Sequence, residues 1–214
     1  MIDIVQFQNE LMSSNCFVVY DSETKQSFIV DPASEKSKDV IDFIENKNLS
    51  PEFILLTHEH TDHTWGCNAL IDRYDKIRIV CSQACKDNLS KEGTAYFQFY
   101  FNKTDYIYNI KHIDIVLEDI HYCLQWDKKT IYFYKTPGHS KGSVCFLIDN
   151  KLFTGDTIMQ YKPFIPKKTG SKEDYKRSVQ YILDVFEDKK DNIMVYPGHG
   201  KIFLLSAIEN FNFS

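Results

Sequence analysis

Thr57-His58-Glu59-His60-Thr61-Asp62-His63 places three imidazoles and the Asp62 carboxylate within six positions, directly after the apolar run Phe53 to Leu56. That run is bounded by Pro51 and by the polar histidine segment, and it predicts a strand buried on both faces. Protonated histidines so close together would repel one another. Neutral ones would each need a hydrogen-bond partner, whereas a divalent cation takes up their lone pairs together. Side chains two apart in extended chain share a side, so His58 and His60 can hold one ion while Asp62 and His63 turn toward a neighbouring one. The helical zinc motif H-E-x-x-H needs a histidine four residues after His58. That position is Asp62, which excludes it.

Three further segments share the same grammar, a potential ligand on a glycine-containing turn after an apolar strand. They are Thr136-Pro137-Gly138-His139-Ser140, Thr154-Gly155-Asp156-Thr157 and Tyr196-Pro197-Gly198-His199-Gly200. Their glycines let backbone approach a crowded centre without a side chain in the way. Of the seven histidines only His112 and His121 fall outside these motifs, and both read as ordinary surface or core residues. Glu59 is expected behind the ligands or facing solvent. Thr57 and Ser140 are expected to hydrogen-bond ligand imidazoles, a common arrangement behind metal-binding histidines.

Around these motifs the chain is ordinary. Its 214 residues, 43% hydrophobic and 26% charged, suit one globular domain over residues 1–214. A net charge of −5 argues against a dedicated nucleic-acid or anionic-membrane binder. Met1 to Leu11 lacks a basic start followed by an apolar run, so no secretory signal is read there, and no apolar stretch approaches a membrane span. The six cysteines contain no C-x-x-C pair and read as reduced thiols of a cytoplasmic protein. Cys81 and Cys85 read as small buried hydrophobes.

The pattern predicts a hairpin of Cys16–Tyr20 and Ser27–Val30 across the polar turn Asp21 to Gln26. Val40, Ile41 and Ile44 recur at helical spacing. Strands are expected at Ile77–Val80, Ile120–Leu124, Ile131–Tyr134, Val144–Ile148, Leu152–Phe153 and Ile193–Tyr196. Ser82 is expected to cap a short helix, and another helix runs from about Lys172 to Phe186. Strands grouped in runs with a few helices between them imply sheets packed on each other and covered by helices.

Taken in order, H-x-H-x-D-H, T-P-G-H, G-D and P-G-H resemble the metallo-β-lactamase-fold hydrolase superfamily, and the spacing and the G-D-T sequence are most similar to small glyoxalase II-type members. The resemblance spans the chain from near Cys16 to His199. It implies an α/β (α+β) fold, a four-layer αββα sandwich; the carboxy-terminal helical domain of glyoxalase II-type members is not expected here, since the sequence stops fifteen residues after His199. Carried over residue by residue, it implies that His58, His60 and His139 bind a first divalent metal ion and that Asp62, His63 and His199 bind a second, with Asp156 bridging them. Zinc is the first expectation, with iron and manganese as alternatives, because imidazole and carboxylate suit all three.

A bridging carboxylate also makes sense physically, since two dications roughly 3.5–4 Å apart repel strongly. With two carboxylates and one hydroxide such a centre keeps about one positive charge, which favours an anionic small-molecule substrate or a developing oxyanion. The expected reaction is hydroxide attack on a thioester, lactone or other ester carbonyl, with Asp62 orienting the hydroxide and Asp156 holding the centre. The same motif set is similar to that of persulfide dioxygenases, which use one iron, and of phosphodiesterases of this fold. Lys162 and Lys167, in the loop after Asp156, are candidates to grip a carboxylate or phosphate. Trp65 is a candidate pocket wall. The aromatic segment Tyr96 to Tyr108 could serve as core, pocket wall, lid or homodimer contact.

Overall fold

A computed structural model of the protein describes residues 1–118 and 121–210. It divides into two compact units, Met1–Val116 and the chain from Leu117 onward.

In the first unit, β1 (Ile2–Gln8), β2 (Asn15–Asp21) and β3 (Gln26–Val30) form an antiparallel meander. The hairpin expected from the sequence is therefore present, with β1 added at its edge. After it come α1 (Lys38–Asn46), β4 (Ser50–Leu55), α2 (Thr61–Thr64), α3 (Cys67–Arg73), β5 (Arg78–Ser82), α4 (Gln83–Phe101) and β6 (Ile115–Leu117). The sheet order is β1-β2-β3-β4-β5-β6, with β3, β4 and β5 parallel. Parallel neighbours need long crossovers, and here α1 supplies one and α2 with α3 the next. The helical spacing seen in the sequence buries Val40 and Ile44 in a core with Ile54, Leu56, Leu70 and Ile79.

Ser82 caps α4 as expected, its hydroxyl accepting from the Cys85 amide at 3.1 Å. The helix is long, 19 residues, and takes in much of the aromatic segment. Phe97 and Tyr108 are core residues, whereas Phe99, Tyr100 and Ile107 face outward. Cys81 and Cys85 are both buried, and burial pushes the Cys85 thiol well up, so it behaves as a small hydrophobe.

The second unit holds β7 (His121–Trp126), β8 (Lys129–Lys135), β9 (Val144–Ile148), β10 (Lys151–Gly155), α5 (Lys172–Val185), β11 (Met194–Pro197) and β12 (Phe203–Leu204). Ile120, expected to open β7, lies outside the described residues, as does the side chain of His121. The sheet order is β12-β11-β10-β9-β8-β7, antiparallel except for β10 and β11. That parallel pair is joined through α5, whose Ile182 packs with Cys145, Leu152 and Val195. Ser171 caps α5 by accepting from the Asp174 amide at 3.2 Å. Among the described residues, no helix is long and apolar enough to cross a membrane.

Candidate metal centre

The histidine segment leaves the carboxyl end of β4 and turns into α2, whose N-cap is His60. Beside it, β3 ends and Asp31 takes a left-handed backbone conformation, φ 50°. Asp31 joins the two strand ends. One carboxylate oxygen accepts from the Thr57 amide at 2.8 Å, and the other accepts from the Thr57 hydroxyl at 2.6 Å and lies 3.0 Å from His63 Nδ1. Asp31 and His63 are both buried.

An ionised carboxylate only accepts, so this network assigns the His63 proton to Nδ1 and leaves the Nε2 lone pair for a ligand bond. His63 Nε2 lies 3.6 Å from Asp62 Oδ2, the pair expected to serve one ion. Thr57 gives its single proton to Asp31, so its oxygen accepts from His58 Nδ1 at 3.0 Å. The His58 lone pair is then on Nε2, 3.1 Å from His60 Nδ1. Two ligands of one tetrahedral ion with bonds of about 2.0–2.1 Å sit roughly 3.3 Å apart. The donor set of this unit therefore fits a divalent cation.

The His60 carbonyl accepts from the His63 amide at 3.0 Å and from the Thr64 hydroxyl at 3.1 Å, which closes the α2 turn. Tyr108 props that turn, its hydroxyl bonding the Thr64 carbonyl at 2.8 Å. The Ser14 hydroxyl donates to the Asp62 carbonyl, and Asn9 donates to Ser14 Oγ at 2.9 Å and to the Asp31 carbonyl at 3.0 Å. Sequence reasoning missed Asp31, Asn9 and Ser14, and gave Tyr108 no specific role within the aromatic segment. Of the three missed, Asp31 carried a signal, a carboxylate on a turn directly after an apolar strand. Glu59 is buried rather than solvent-facing. Trp65 is half-buried with its ring 5.2 Å from that of Phe97, on the edge of the core.

In the second unit His139 follows β8, Asp156 follows β10 and His199 follows β11. One oxygen of the buried Asp156, Oδ2, lies 3.4 Å from His139 Nε2 and 3.6 Å from His199 Nε2. His139 Nδ1 donates to the Phe164 carbonyl at 3.0 Å, which again leaves the Nε2 lone pair for a ligand bond. Thr136 and Thr157 join the turns through their hydroxyls at 3.1 Å, and the Gly198 amide donates to the Gly155 carbonyl at 2.8 Å. Ser140 spans its own turn, hydroxyl to hydroxyl with Ser143 at 2.9 Å. Lys162 lines a cavity of about 440 Å³ with Ile165, Lys172, Glu173, Tyr175 and Lys176, while Lys167 stands exposed farther along the loop.

Each unit thus gathers its own share of the expected ligands at the carboxyl ends of its strands, where open sheets commonly bind ligands. The sequence model of the metallo-beta-lactamase superfamily matches residues 10–199. The chain belongs to the metallo-β-lactamase superfamily. This superfamily member is similar to the probable polyketide biosynthesis zinc-dependent hydrolase PksB of Bacillus subtilis, 26% identical over 86% of the chain and 72% of that protein. It is also 30% identical to the hydroxyacylglutathione hydrolase of Buchnera aphidicola, over 71% of the chain and half of that protein. The solved B3 metallo-beta-lactamase BLEG-1 overlays with a TM-score of 0.85 at 23% identity, covering 99% of this chain and 98% of that one. That likeness shows the metallo-β-lactamase fold which the four motifs imply.

Proposed function

We propose that the protein is a metal-dependent hydrolase of thioesters, lactones or other carboxylic esters, working through a dinuclear centre. In this reading His58, His60 and His139 hold one ion, Asp62, His63 and His199 hold the other, and Asp156 is shared. The observation that carries it is the single Asp156 oxygen, Oδ2, lying 3.4 Å from His139 Nε2 and 3.6 Å from His199 Nε2. A carboxylate so placed offsets the repulsion of two neighbouring dications.

When bound, the ions would supply hydroxide near neutral pH and Lewis-acid polarisation of a carbonyl. The chain's own residues do the rest. Asp31 and Thr57 hold His63 and His58 in the tautomers that present Nε2, and the Phe164 carbonyl does the same for His139. In this reading Asp62 orients the attacking hydroxide. The similarity to proteins named as hydrolases supports this class of reaction.

The test is elemental analysis of the purified protein coupled to a panel of thioesters, lactones, simple esters and phosphodiesters, with and without chelator. About two ions per chain and chelator-sensitive turnover of a carbonyl ester are expected. A single iron with oxygen consumption, or turnover confined to phosphodiesters, would refute the proposal.

A further inference from the structure

The cavity beside the loop after Asp156 has a lining that the catalytic reading does not use. Its wall combines Ile165 and the Tyr175 ring with the stems of Lys162, Lys172 and Lys176 and with Glu173. Among the described residues none of the three lysines has an ion pair or hydrogen bond, whereas Glu173 is 3.7 Å from Arg177. Lys172 and Lys176 are four apart in α5, so their like charges face each other on one side of the helix. Lys172 also sits in the first turn, where the helix dipole disfavours a cation. Both costs are relieved by an anion between them.

A second feature is independent of the lysines. Tyr175 is 3% exposed and lines the cavity, yet its hydroxyl has no hydrogen-bond partner among the described residues. Buried hydroxyls are nearly always paired, and this unpaired one belongs to a residue of the cavity wall. Burial first, then the nearby Asp156 charge, pushes this phenol up, so it stays a protonated donor. The cavity is also built onto the His139 turn. Ser171, the α5 cap, donates its amide to the Gly138 carbonyl at 2.7 Å, and Ile165 follows the Phe164 carbonyl that holds His139.

We propose that this cavity binds a phosphate monoester carried on an apolar stem, with Lys162, Lys172 and Lys176 facing the phosphate and Tyr175 donating to an oxygen of the bound group. Three ammonium groups against one glutamate match a group of charge about −1.5 to −2 at neutral pH, and lysines act on phosphate as point charges. The inference rests on the hydrolase reading for its meaning: the favoured substrate is an ester or thioester bearing a phosphate at a distance from the scissile carbonyl.

The test is calorimetric titration of the metal-loaded protein with hexyl phosphate, hexanoate and hexanol. Hexyl phosphate should bind at least tenfold more tightly than hexanoate or hexanol. K172Q/K176Q should weaken hexyl phosphate by tenfold or more, while the charge-matched K128Q/K189Q should not. Y175F should weaken it severalfold with no loss of thermal stability, since the hydroxyl it removes has no partner to lose. Equal binding to K172Q/K176Q and wild type, or equal binding of hexanol and hexyl phosphate, overturns the proposal. Tighter hexanoate than hexyl phosphate replaces phosphate by carboxylate and overturns it too. Lysine-dependent binding in a protein with no esterase activity on any substrate would sink the hydrolase reading and leave the pocket standing.

Discussion

Asp31 shows how one carboxylate can govern a site it does not have to ligate. It fixes Thr57 twice and His63 once, and through Thr57 it fixes His58. Asp31→Asn puts an N–H where one of these donors must bond, so the tautomer of His63 or the Thr57 contact is lost. Groups that orient metal ligands typically matter 10–100-fold. We therefore expect metal affinity to fall about tenfold or more in competition titrations, with the circular dichroism spectrum of the fold retained. Asp62→Asn and Asp156→Ala should each lower turnover by roughly two orders of magnitude or more, because the first removes the orienting carboxylate and the second the shared one. Near wild-type rates in either variant would sink the roles given to them.

Asp21 is held by three donors. The terminal ammonium at 3.0 Å, then the amides of Thr24 and Glu23, pull its carboxyl down to about 2 from an ordinary 3.8. A lowered folded-state value means that the stabilisation is complete above about 4 and is lost as the pH falls toward 2. Thermal midpoints of wild type and Asp21→Asn should differ at neutral pH and converge over that window. A gap that stays constant from pH 5 to pH 2 would contradict the assignment.

At the scale of elements, the Pro137-Gly138-His139 turn and α5 depend on each other. Gly138 has φ +149°, and a Cβ there would come 2.3 Å from the Tyr175 backbone, while the Ser178 hydroxyl donates to the Pro137 carbonyl at 2.7 Å. Gly138→Ala must push α5 off the turn as well as strain the backbone. A loss of at least about 2 kcal/mol in denaturant unfolding is expected, together with weakened metal binding through His139. An alanine variant as stable as wild type would show that the turn tolerates a side chain. In the first unit, α2 plays the corresponding part. It has only four residues, far too few to be stable alone, and it is held by Tyr108, Ser14 and the Asp31 network. The aromatic segment, which the sequence left open between core and pocket, contributes to the site through this prop.

At the scale of the molecule, buried histidines and carboxylates gathered at strand ends are costly unless something compensates their charge and lone pairs. A bound ion would do so, and a ligand that binds only the folded chain adds stability by mass action, about 4.1 kcal/mol at a thousandfold excess over Kd. Chelation should therefore lower the thermal midpoint by several degrees, and restoring zinc, iron or manganese should raise it again in the order of affinity. A midpoint indifferent to chelator would argue that the histidines are held by hydrogen bonds alone.

The sequence by itself determined which segments carry the candidate ligands, because each stands on a turn after an apolar strand and local pattern reports such turns. It also determined the hairpin, α1, the cap of α4, and α5, all of which rest on contacts between residues close in the chain. Only the tertiary structure decided that Asp31, 32 positions before His63, orients it, that the Phe164 carbonyl, 25 positions on, orients His139, and that Lys172, Lys176 and Tyr175 share a cavity wall with Lys162. Strands β1, β6 and β12 and the full length of α4 were likewise beyond local reading. Hydrogen bonds and packing between distant positions leave no period in the sequence; they exist only once the strand ends have been brought side by side.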